Sequence, residues 1–155
     1  MHRLTVAFAA ILSSALVVPA ALADKPTREP LPAPPSFTIS GSCSFDVQVD
    51  VLVNKEFITT FTSGKQIITG RLVVRVTNLD NPSKSRVLQI SGPGIEDLSN
   101  PSTFNLSGTS LIFFPGVLLL TRGPISLTFD QSGNVTSFTQ TSASSVDLCA
   151  VLADP

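Results

Sequence analysis

Cys43 stands directly before Phe45-Asp46-Val47-Gln48-Val49-Asp50-Val51-Leu52-Val53. Apolar side chains fall at every second position from Phe45 to Val53, and Asp46, Gln48 and Asp50 fill most of the gaps. That period of two belongs to a β-strand with one face in a core and the other in water. The only other cysteine, Cys149, lies near the C-terminal end. A bond between the two would tie the first strand of the fold to its last segment.

The N-terminal residues read as a secretory signal. Met1-His2-Arg3 is a short positive start, Leu4 to Val18 is apolar, Pro19 breaks the run, and Ala21-Leu22-Ala23 offers small residues to a peptidase. Cleavage is expected after Ala23, and the apolar run is too short and too soon broken for a retained anchor. Localisation outside the cell follows. Two cysteines in an exported chain are most simply one disulfide, Cys43–Cys149. Closing a loop of about 106 residues stabilises a fold by roughly 4–5 kcal/mol in the chain-entropy model.

Residues 24–155 are enough for one domain with a core of its own. They hold nine basic and eleven acidic side chains, a formal −2, with no basic stripe for nucleic acid. They contain no Trp and no Tyr, and the single His and Met are His2 and Met1. Without histidine there is no Ser-His-Asp relay and no imidazole metal ligand. With both thiols paired there is no thiolate either. These absences point away from an enzyme, and no cofactor or metal is expected.

Residues 24–36 carry five of the twelve prolines and read as a flexible, extended leader. From residue 37 to 155 the pattern is all-β. Runs at 45–53, 55–62, 65–69, 71–78 and 85–91 are followed by 103–106, 109–114, 117–121, 125–129 and 135–140. Between them fall turn residues: Ser63-Gly64, Asn78 to Ser83, Ser107-Gly108, Pro115-Gly116, Gly123-Pro124 and Gln131 to Asn134. Residues 92–102 look like an irregular loop. The tail from Ser142 to Leu152 fits a last strand or a short helix. About eight to ten short strands at this spacing indicate a single antiparallel β-sandwich or barrel.

Candidate sites are few. Asp46 and Asp50 share a strand face, but four residues span about 13 Å, beyond the roughly 5–9.5 Å a carboxylate pair needs for glycoside hydrolysis. Arg71 and Arg75 are the expected partners of a solvated face. Glu96-Asp97 offers oxygen ligands without the spacing of a calcium loop. The most apolar stretch, Leu111 to Leu120, fits strands buried on both faces, or the lining of an apolar ligand cavity through Phe113, Phe114 and Leu118. Asn105-Leu106-Ser107 and Asn134-Val135-Thr136 match the N-glycosylation pattern.

The succession Cys43-x-Phe45-x-Val47, Ser63-Gly64-Lys65, Thr69-Gly70, Val76-Thr77-Asn78 and Ser91-Gly92-Pro93 resembles small exported actinobacterial β-domain proteins of unassigned function, over about residues 40–149. The resemblance implies an exported β-domain and brings no activity, ligand or catalytic residue with it. The expected function is a secreted, non-enzymatic binding or structural module, not inserted in a membrane once the signal is removed, whose partner the residues leave open between an apolar ligand and a component of the cell envelope. The first alternative is a carrier of a small apolar ligand in a barrel cavity, and a carboxylate-dependent hydrolase comes third.

Overall fold

A computed structural model describes residues 25–99, 102–141 and 144–153. The expected signal segment and its cleavage point lie outside the described residues. The strands are β1 (Thr27–Pro30), β2 (Ser36–Ile39), β3 (Val47–Thr60), β4 (Lys65–Asn78), β5 (Ser85–Gln89), β6 (Gly94–Asp97) and β7 (Thr103–Leu106). They continue with β8 (Thr109–Phe114), β9 (Val117–Arg122), β10 (Ile125–Phe129), β11 (Val135–Gln140) and β12 (Ser144–Asp147), and one helix, α1 (Leu148–Ala153), closes the chain. All pairings are antiparallel. The expected all-β class with one disulfide is therefore correct.

Strands β3 and β4 form a 14-residue hairpin that is the spine of the molecule. Its turn is the expected Ser63-Gly64, with Gly64 at φ 83° and its N–H donating to the Phe61 carbonyl. One end of this hairpin carries β2 and β5 on its flanks. The other end carries β1 on one side and, on the other, β6, β7, β10 and β11 in that order. A second sheet has the order β12-β9-β8.

The β8–β9 hairpin uses both faces. Leu118 lies in a core with Val47, Val49, Val74, Val76, Leu148 and Leu152, and Leu111 and Leu120 pack on the same cluster. Ile112 lies in a second core with Ile125 and Leu127, joined by Phe114 and Leu119. Cross-strand partners Leu111 and Leu120 share one face, Ile112 and Leu119 the other. The two ends of the large sheet thus cover opposite faces of the small one. A strand pair buried on both sides reads as a continuous apolar run, as Leu111 to Leu120 does.

This arrangement is a sandwich; the closed-barrel alternative is corrected. The large sheet ends in β1 and β11, which do not pair with each other, so no edge is sealed. Four of the expected short strands fuse into β3 and β4. Four further strands, β1, β2, β6 and β12, bring the described total to twelve, above the expected eight to ten.

The leader is likewise corrected where Thr27–Pro30 pairs with Phe57 to Thr60. Proline is tolerated there because β1 is an edge strand that owes no N–H on its outer side. The loop expected at 92–102 contains β6, which pairs with both β4 and β7. The tail resolves into strand and helix in sequence. Asp147 Oδ1 accepts the N–H groups of Cys149 at 2.8 Å and Ala150 at 3.2 Å, an N-cap that starts α1. One turn later Leu148 and Leu152 lie on the same face, both buried.

Candidate functional site

The spine hairpin changes face partway along. Val47, Val49 and Val51 sit opposite Asn78, Val76 and Val74, but after Leu52 the register shifts, and Val53 meets Val73. Leu52 is the extra residue of a β-bulge. Odd positions of β3 face the core before it and even positions after it, because one inserted residue exchanges the two faces. Glu56 and Ile58 are therefore carried to the concave side, opposite Gly70 and Ile68. Gly70 has φ 140°, and a Cβ there would fall on the Lys55 carbonyl oxygen. The two backbones approach at the bend more closely than any side chain permits.

The concave side continues across β6, β7 and β10. Gly94 pairs with Ile68 and Leu106, and Leu106 pairs with Ile125. A Cβ at Gly94 would stand 2.6 Å from the Phe104 ring, so this glycine makes room for the aromatic side chain that lies over it. Between this surface and β8 lies an open cleft of about 970 Å³. Its walls include Ile68, Ile90, Phe104, Leu106, Leu127 and Phe129, and Ser110 to Pro115 run along it. Strand β8 is the edge of its sheet, so residues from both its faces reach the cleft. Alternate main-chain groups of β8 point away from β9 toward the same space.

Phe113 and Phe114 both line the cleft. Phe113 is 45% exposed, and its ring centroid is 6.2 Å from that of Phe37. Phe114 leans on Phe138 at 6.4 Å. Leu118, named with them from the sequence, is 1% exposed in the first core and does not reach the cleft. Cys43 and Cys149 are bonded, with Cα atoms 5.4 Å apart. The neighbouring Ser42 donates its hydroxyl to the Phe114 carbonyl at 3.0 Å, and Gly116 N–H donates to the Gly41 carbonyl at 2.8 Å. The disulfide-bearing segment is thereby fastened to the tip of the β8–β9 hairpin.

Glu56 was missed. Its N–H donates to Asn54 Oδ1 at 3.0 Å, and its carbonyl accepts from Leu31 N–H at 2.9 Å, so its backbone is held on both sides. Its carboxyl group faces the cleft, where burial alone pushes it above its usual value. No side-chain donor among the described residues bonds it. The signal for it was present in Val51-Leu52-Val53, three apolar residues where alternation allows two.

Three other carboxylates are engaged elsewhere. Asp50 lies opposite Arg75 in register and accepts Gln48 Nε2 at 3.3 Å. Asp97 accepts the Ser99 hydroxyl at 2.6 Å and its N–H at 2.9 Å, and these bonds hold its carboxyl below the usual range. Asp130 accepts the N–H groups of Asn134 and Ser132, with the same effect. No three metal-ligating side chains gather among the described residues. No described helix is long and apolar enough to cross a membrane.

No protein-family model, curated protein or solved structure matches the chain.

Proposed function

We propose that this protein is an exported, non-enzymatic binding module that holds an elongated apolar small molecule in the cleft beside β8. The observation that carries this reading is the cleft itself. Its volume falls within the roughly 300–1,000 Å³ usual for small-ligand sites, and its walls are mainly Phe, Leu and Ile. The space lies between the layers of a sandwich and opens to solvent, so ligand entry needs no opening of the fold. The disulfide agrees with an oxidising compartment.

The chain has neither Trp nor Tyr, which makes a single introduced tryptophan an unambiguous reporter. In Phe113→Trp, added decanol is expected to shift the emission to the blue and to saturate. Native mass spectrometry of protein purified without detergent is expected to show bound apolar molecules. An unchanged emission together with a clean apo mass overturns the reading.

A further inference from the structure

We infer that the cleft selects amphiphiles with a cationic head group, the head seated at the Glu56 carboxylate and the chain laid along Phe104 and Phe129. The inference rests on the reading of the cleft as a small-molecule site and names the ligand class.

Of the 23 described residues that line the cleft, Glu56 alone is ionisable. An adjoining hollow of about 570 Å³ shares Phe104, Phe129 and Gly133, and adds Glu96 and Asp130 but again no base. The nearest basic residues on the spine, Lys55 and Arg71, pair with each other in register, one residue out of step with Glu56 and Gly70. They therefore project from the opposite face. Every formal charge among the described residues lining the two hollows is negative. An anionic head such as a fatty carboxylate meets only repulsion here, whereas an ammonium gains an ion pair in partly desolvated surroundings.

Glu56 is also the one carboxylate among the described residues of the main cleft, and it has spare capacity. Asp130 spends its oxygens on the Asn134 and Ser132 amides of its own turn. Glu56 has its backbone clamped by Asn54 and Leu31 and its carboxyl unpartnered among the described residues. A carboxylate so placed is pre-oriented and lacks a donor, and the missing donor is what a ligand head supplies.

The test compares decylammonium, decanol and decanoate at neutral pH, below aggregation, by the emission of Phe113→Trp. The expected order is ammonium first, alcohol second and carboxylate last, with about tenfold between the first two, one decade in Kd. In the Phe113→Trp, Glu56→Gln double variant the ammonium is expected to bind no better than the alcohol. Equal binding of ammonium and alcohol to the parent overturns the head-group assignment while leaving the apolar cleft in place. An ammonium preference that survives Glu56→Gln overturns the role of Glu56. Failure of all three probes overturns both readings.

Discussion

Gly70 and Lys55 lie back to back where the spine hairpin bends: the Cα of Gly70 faces the Lys55 carbonyl so closely that no Cβ fits between them. The bend, with the bulge at Leu52, lets one hairpin contribute to both cores and leaves a cleft inside the curve.

Gly70→Ala is expected to cost about 2–4 kcal/mol, since it combines a positive φ with a backbone clash. Urea unfolding should show a lower midpoint with an unchanged slope. A wild-type midpoint would mean that the bend tolerates a side chain.

Breaking the Cys43–Cys149 bond releases a closed loop of 106 residues. Cys43→Ser with Cys149→Ser is expected to lose up to about 4–5 kcal/mol. The loss should appear as a fall in Tm that dithiothreitol reproduces in the parent and does not deepen in the variant.

Asn78 is only 5% exposed, and it joins the β4–β5 turn to α1. Its Nδ2 donates to the Leu152 carbonyl at 3.1 Å, while its Oδ1 accepts the N–H groups of Asp80 at 2.8 Å and Asn81 at 3.2 Å. Asn78→Ala is expected to cost about 2–3 kcal/mol, because it orphans several main-chain groups at once. Amide exchange at Asp80 and Asn81 should accelerate before global unfolding does.

Glu56 sets a pH dependence of definite sign. Burial raises its folded value above the ordinary 4.5, so the folded state binds the extra proton. Its ionisation therefore costs stability in full above the folded value, and that cost fades as the pH falls to about 4.5. Glu56→Gln is expected to be more stable than the parent at neutral pH, with the gap closing toward pH 4. Asp97 and Asp130 act oppositely: their turn bonds contribute above the ordinary 3.8 and are lost as the pH falls through their lowered values. Chemical denaturation of parent and Glu56→Gln across pH 3–8 checks the sign for Glu56, and a gap constant with pH would refute that assignment.

Much of this architecture was written in local pattern. Period-two runs located the strands from β7 to β11, except that their sheet order stayed open. Gly64, Pro115-Gly116 and Gln131 to Asn134 marked hairpins that the structure contains. Strand β6 escaped notice because, apart from Ile95, Gly94-Ile95-Glu96-Asp97 consists of residues disfavoured in strands; it pairs because β4 and β7 flank it. Strand β1 was hidden by Pro30 and the prolines around it, which an edge accommodates.

From residues alone came the alternation that makes strands, the turns that separate them, and the two cysteines that join the ends. These are short-range matters, decided by side-chain period and backbone freedom. The tertiary structure decided which face each residue finally occupies. One extra residue at Leu52 exchanged inside for outside along half of β3, taking Glu56 into the cleft, and Leu118 fell into the core while Phe113 reached the rim. Such outcomes depend on register between distant strands, which no local window contains.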